Sequence, residues 1–245
     1  MANYSDLLDV LYEDNHLLAL NKPAGWASAH FEGTDETVDH LAKAYLKEKY
    51  AKPGEVFLGV VHRLDKPTSG VLLFARTSKA AARLSEQFRS GAVEKTYLAV
   101  VRPTDGAKAN LFDGEWGTFD DWLRHNDREH RVDIAEPDSF EAKPARLHYT
   151  VKAQHNGAVL LELRPATGRK HQLRVQLASR GWPIVGDVKY GGKHPFGHAI
   201  ALHAHTLSFL HPTKNDPVKL QAEIPKQWRG PFAYLLAGLE TKGAG

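Results

Sequence analysis

One stretch of the chain, Val61 to Val71, gathers reactive side chains in a short space: VHRLDKPTSGV. It sets one acid, Asp65, between a basic pair, His62 and Arg63, and a tight polar turn, Pro67-Thr68-Ser69-Gly70. An ionised carboxylate can act as a nucleophile or as a general base. Apolar runs flank the stretch, LGVV before it and VLLFA after it, and such runs form buried strands. A carboxylate on a turn between two core strands is positioned, and loops presented by a rigid scaffold are where chemistry concentrates. The other reading is a surface Asp that stabilises a turn by bonding its own backbone.

The neighbouring residues narrow the chemistry. An aspartate-nucleophile hydrolase such as a phosphatase would want further acids near the nucleophile to hold a magnesium ion. Asp65 is followed by Lys66, not by a second acid. The His pairs 203/205 and 194/198 have ligand-like spacing, but no acid or Cys cluster completes a site. We therefore expect no metal site.

The elements that must carry these residues read as follows. Residues 8–12 and 16–20 are apolar runs split by Glu13-Asp14-Asn15, which predicts a β-hairpin. It leads into Asn21-Lys22-Pro23-Ala24-Gly25, a Lys ahead of a Pro and Gly turn. From Thr37 to Tyr50 the apolar residues Val38, Leu41, Ala42, Tyr45 and Leu46 recur at helical spacing. After the central strand-turn-strand, Ser78 should cap a helix running to about Arg89, with Gly91 at its C-terminal cap. Tyr97 to Val101 reads as a strand. Gly106 to Pro144 is acidic and weakly periodic, which predicts irregular loops with one or two short strands. Arg146–Val151 and Ala158–Arg164 should pair around the turn Asn156-Gly157. Thr167 to Arg180 reads as a helix stopped by Gly181. Short strands are expected near 184–188, 200–203, 206–210 and 218–223, and Pro225 could open a last helix through about Leu239. Strands outnumber helices and short turns join many of them, which favours an α+β fold with a mostly antiparallel sheet.

At 245 residues the chain has room for one large domain or two small ones. No run of eighteen apolar residues marks a transmembrane helix, and MANYSDLLDV does not read as a secretory signal. The absence of cysteine rules out disulfides and zinc thiolate sites and fits a reducing cytoplasm. The net charge of +3 is unevenly spread. Lys143 to Arg180 holds eight Lys or Arg and one acid, Glu162, whereas Asp105 to Glu141 holds eleven acids and four Lys or Arg. A basic face beside an acidic one suits a polyanion bound in a defined place. The plainer alternative is two solvated faces.

The motifs resemble those of the RluA-type RNA pseudouridine synthases. His62-Arg63-Leu64-Asp65-Lys66-Pro67-Thr68-Ser69-Gly70 resembles the family signature HRLD, two variable residues, then TSG. Asn21-Lys22-Pro23-Ala24-Gly25 resembles the first family motif, and Lys95-Thr96-Tyr97 its Lys-x-Tyr motif. Residues 165–175, PATGRKHQLRV, resemble the third motif, and Gly186–Gly191 and Leu202-His203-Ala204 follow in the expected order. One short motif is weak evidence; six in register, over about residues 8–225, are strong.

The resemblance implies two halves that share a long mixed sheet with flanking helices and a cleft between them. Residues 1–245 would then form a single catalytic domain without a separate RNA-binding module. It implies isomerisation of specific uridines in structured tRNA or rRNA to pseudouridine. The glycosidic bond breaks, the uracil turns, and it rejoins through C5; substrate and product are isomers, so the resemblance implies no cofactor. It assigns the catalytic carboxylate to Asp65, without deciding whether Asp65 attacks the base, attacks the ribose or removes a proton. Arg174 matches the arginine that pairs with that acid, so the two are expected to meet within salt-bridge distance. Tyr97 matches the tyrosine that stacks on the base, and Leu173 would line the uracil pocket. Arg63 is the candidate to fill the gap left by a flipped uridine. His62, Lys22, Arg76, Arg169 and Lys170 are candidates for RNA contacts. The chain departs from the family where RVH is common: it reads Arg174-Val175-Gln176, which would alter RNA choice, though not catalysis, if that position contacts RNA. The expected enzyme is a cytoplasmic monomer with RNA as partner and no membrane. Its rival is a catalytically inactive RNA-binding protein on the same scaffold.

Overall fold

The computed structural model of the chain describes residues 7–30, 37–105, 107 and 116–240. It forms two compact units, one of residues 1–95 with 204–223, the other of residues 96–203 with 224–245. The class is α+β, with strands joined mostly by antiparallel ladders and helices set against them, as the turn-rich sequence implied.

In the first unit, β1 (Val10–Glu13) and β2 (Leu17–Lys22) form the expected hairpin. The Asp14 carboxylate closes its turn by accepting the His16 and Leu17 N–H groups, both at 2.8 Å. The apolar run before the reactive stretch yields only a two-residue strand, β3 (Gly59–Val60), and Val60 is exposed. The run after it is β4 (Ser69–Ala75), buried at every position. β4 takes up the last two residues of the TSG motif, and Gly70 has to be glycine: its φ is +115°, and a Cβ there would lie 2.2 Å from the Ala204 carbonyl oxygen.

Helix α1 (Val38–Lys49) follows the predicted periodicity. Helix α2 (Ser78–Ser90) is capped by Thr77 rather than Ser78, because the Thr77 hydroxyl accepts the Ala80 N–H. Gly91 closes it at φ 77°, as expected. Leu17, Ala19, Val71, Leu73, Leu84, Leu207 and Phe209 are part of this unit's core. Its strand order is β1-β2-β4-β10, with β3 on β4 and β11 (Pro217–Gln221) on β10. The two strands expected at 200–203 and 206–210 are one, β10 (Leu202–Leu210), whose residues from Ala204 onward belong to this unit.

The second unit runs β5-β9-β8-β6-β7, where β5 is Glu94–Val101 and β9 Ala158–Pro165. β8 is Lys143–His155, and Asn156 and Gly157, both with positive φ, turn it into β9. The stretch expected to be irregular contains a ten-residue strand, β6 (Gly117–Asn126), and its partner β7 (Arg131–Ala135). Its acids obscured the alternation: Phe119 and Leu123 are buried while Asp120 and Arg124 face out. Residues 106 and 108–115 of that stretch lie outside the described residues.

Helix α3 spans only Gln172–Ala178, shorter than the Thr167–Arg180 helix expected, because Thr167–His171 form a loop ending in His171 at φ 52°. No strand forms over 184–188; Ile184 makes a single bridge to Val101, and Val188–Tyr190 is a 3-10 turn. The expected last helix is broken into a 3-10 turn at Lys226–Trp228 and helix α4 (Ala233–Glu240). No helix among the described residues is long and apolar enough to cross a membrane.

Candidate functional site

Asp65 is the half-buried first residue of a turn closed by the Thr68 N–H donating to the Asp65 carbonyl at 3.0 Å. Two clips hold the turn from below. Ser28 Oγ donates to the Leu64 carbonyl at 2.7 Å and accepts the Leu64 N–H at 3.0 Å. On the other side the Lys66 carbonyl accepts from the Gly25 N–H at 2.8 Å and from Lys22 Nζ at 3.2 Å. Lys22 was expected to reach RNA phosphates. Instead it is fully buried at the end of β2, and its ammonium also donates to the Pro23 and Trp26 carbonyls at 2.9 and 2.8 Å. Burial pushes its pKa down to about 7, against the opposing pull of the Asp65 charge. The first motif thus braces the second, and its lysine is the positive neighbour of the carboxylate.

Two further candidates for RNA contact turn inward. His62 Nε2 accepts the Leu73 N–H at 2.9 Å, and the ring stacks on Phe88 at 4.8 Å between centroids. Burial and the nearby Lys95 ammonium push its pKa down to about 3, so it stays neutral and fastens the stretch to β4. Arg76 is consumed by Glu13, 3.2 Å away, by the Asp14 carbonyl and by the Tyr50 ring, with 8% of its side chain exposed. Neither is presented to a polyanion. Arg63, by contrast, is exposed beside Asp65.

In the second unit, Tyr97 lies half-buried on β5 opposite Leu163, and Leu173 is buried in the core that Tyr97 packs against. Arg174, on α3, is held from two sides. Its Nε and one terminal nitrogen donate to the two Asp187 oxygens, each at 2.7 Å, and its guanidinium lies 5.0 Å from the Tyr190 ring centre. This fork-on-fork pair fixes the plane of the guanidinium as well as its charge. Tyr190 is fixed in turn, because its hydroxyl accepts the Val132 N–H and bonds His171 Nδ1, both at 2.9 Å.

The loop ahead of α3 is stitched down by Gln172. Its Oε1 accepts from the Thr167 hydroxyl and the Arg169 N–H, and its Nε2 donates to the Arg146 carbonyl at 3.0 Å. Arg169 and Lys170 stand exposed on that loop. Gln176, where relatives were expected to carry a histidine, does not reach outward. It is fully buried, and its amide donates to Asp121 and to the Phe119 and Ala145 carbonyls, tying β6 to β8.

Sequence reasoning missed Ser28, Asp187 and Tyr190 as parts of this machinery. Asp187 and Tyr190 stood inside the quoted Gly186–Gly191 motif, so the motif marked the place without naming the job. Nothing local distinguishes Ser28.

The profile described as RNA pseudouridylate synthase matches residues 16–179. A ribosomal large subunit pseudouridine synthase D of Xylella fastidiosa is 37% identical over 252 residues, 97% of this chain and 71% of its own. A tRNA pseudouridine synthase C of Vibrio parahaemolyticus is 33% identical over 236 residues, 92% of this chain and 94% of its own. The solved structure of human RNA Pseudouridylate Synthase Domain Containing 4 aligns with a TM-score of 0.70 at 25% identity, covering 95% of this chain and 93% of that one.

Proposed function

Because the chain belongs to the RNA pseudouridylate synthase family, and its activity is the isomerisation of uridine in RNA, we propose that Asp65 is the catalytic carboxylate acting on a flipped-out uridine. The observation that carries this reading is the bracing of the Asp65 turn by Ser28, Gly25 and the buried Lys22. A surface turn would not need a buried cation beneath it. The reaction breaks the bond from C1′ to N1 and forms one from C1′ to C5. C5 gives up its proton and N1 gains one, so the step is balanced without an external oxidant or reductant. Asp65 serves as nucleophile or base, and Arg63 fills the space the uridine leaves. Tyr97 stacks on the base, and Arg174 supports the site through its locked guanidinium. The substrates are structured tRNA or rRNA, by analogy with relatives named for each.

Asp65→Asn tests the assignment. It is nearly isosteric and keeps the turn, so fold and RNA binding should persist while isomerisation disappears. Tritium release from C5-labelled uridine in tRNA and rRNA transcripts measures it. Turnover within about tenfold of wild type, a loss of under about 1.4 kcal/mol in barrier terms, would remove Asp65 from the chemistry.

A further inference from the structure

The basic segment from Lys143 to Arg180 does not act as one surface. Of its eight cations, five have acid partners: Arg146 with Asp120, Lys152 and Arg164 with Glu162, Arg174 with Asp187, and Arg180 with Asp121. The alternation of β8 sorts its own three cations. Arg146 and Lys152 point to one face, where acids on β6 and β9 meet them. Lys143 shares the other face with the buried Ala145 and Leu147, and stands opposite Leu123. That face carries α3, since Leu123 and Ala145 pack with Val175.

Arg169 and Lys170 come to the same place. Arg169 Nε donates to the Pro144 carbonyl at 3.0 Å, next to Lys143. Lys170 Nζ lies 2.9 Å from Nε2 of His125, on the same face of β6 as Leu123, and His125 Nδ1 lies 2.6 Å from Asp127. Lys143, Arg169 and Lys170 are all exposed. Among the described residues the acids on this side are Asp127, on the far side of His125, Glu141, two residues before Lys143, and Asp121, which Arg180 pairs. One face of this sheet is therefore neutralised pair by pair, and the other keeps a compact cationic cluster beside α3.

We propose that Lys143, Arg169 and Lys170 form a phosphate-binding patch for the substrate RNA on the α3 face of the second unit. This rests on the reading of the chain as an RNA-modifying enzyme. Phosphate contacts carry no sequence information, so a generic stem-loop RNA probes the patch without knowledge of the target uridine. Each phosphate neutralised lowers the slope of log affinity against log salt by about 0.7–0.9.

The test is a salt titration of RNA binding for wild type, Lys143→Gln, Lys170→Gln and Arg146→Gln, using a labelled stem-loop. Lys143→Gln and Lys170→Gln should each flatten the slope by about 0.7–0.9, and the double variant by about twice that. Arg146→Gln removes the same charge from the neutralised face and should leave the slope in place. If Lys143→Gln tracks Arg146→Gln, the patch is overturned. Tritium release by the same wild-type sample separates the two readings. Release from transcripts with no effect of Lys143→Gln on the slope overturns the patch alone. A slope that depends on the patch, with no release from any tRNA or rRNA transcript, supports the patch and overturns the proposed catalytic role.

Discussion

Asp187→Asn probes the central electrostatic device of the second unit. The change keeps the shape of the side chain and removes its charge. Arg174 and Asp187 expose 6% and 1% of their side chains, so the pair is shielded from solvent screening. Breaking a buried ion pair by neutralising one partner costs about 3–5 kcal/mol, because the remaining charge has already been taken out of water. For a chain of this size each kcal/mol moves the midpoint by about 2–4 °C, so thermal unfolding should fall by about 6–20 °C. Tryptophan fluorescence suits the measurement, since Trp116, Trp122, Trp182 and Trp228 are in the second unit and only Trp26 is in the first.

A companion variant separates stability from function. Arg174→Met with Asp187→Leu replaces the pair by apolar groups, a change that is often neutral or stabilising. Stability should return toward wild type while isomerisation stays lost and RNA affinity falls far less. If Asp187→Asn unfolds within about 1 kcal/mol of wild type, the pair is not the fixed point drawn here. If the double variant regains turnover with its stability, Arg174 has only a structural role.

Lys22, with a pKa near 7, should report on Asp65 directly: Asp65→Asn removes the charge that favours its ammonium, so 13C NMR of labelled lysine should show Lys22 titrating below the wild-type value. An unmoved titration would separate the two groups electrostatically. Isomerisation should proceed after treatment with a strong chelator, because the bond exchange is internally balanced. A loss of tritium release that magnesium restores, with the RNA fold unchanged by ultraviolet melting, would count against that expectation.

The fold was legible where one periodicity dominated. α1 and α2 fell close to their predicted limits because apolar spacing and Gly91 agreed on the same ends. β6 was obscured because its exposed face is so acidic that the stretch read as loop, although Phe119 and Leu123 alternate inward. α3 was overextended at its start because Arg169 and Lys170 are good helix formers, yet Gly168 is not, and Gln172 satisfies the Thr167 hydroxyl and the Arg169 N–H with its own side chain. Local side-chain hydrogen bonds outweighed a weak helical preference. Lys22 and Arg76 were misread because a cation in a sequence reads as surface, and only packing reveals a carbonyl cage or a half-buried glutamate around it.

The motifs located the reactive groups, but the bonds that fix them cross distances that no local pattern encodes. Lys22 reaches Lys66 across 44 positions and Ser28 reaches Leu64 across 36. Arg174 finds Asp187 across 13, with Tyr190 beneath it. In each case the candidate group sits on a turn or a short helix, and its partner comes from another quoted motif or from a plain loop. A carboxylate on a loop is useful to catalysis only if its backbone cannot drift, and a misplacement of about 1 Å costs on the order of 100-fold in rate. The separate motifs therefore have a joint physical meaning. The lysine of the first motif holds the Asp65 turn, and the aspartate of Gly186–Gly191 holds the arginine of the third motif.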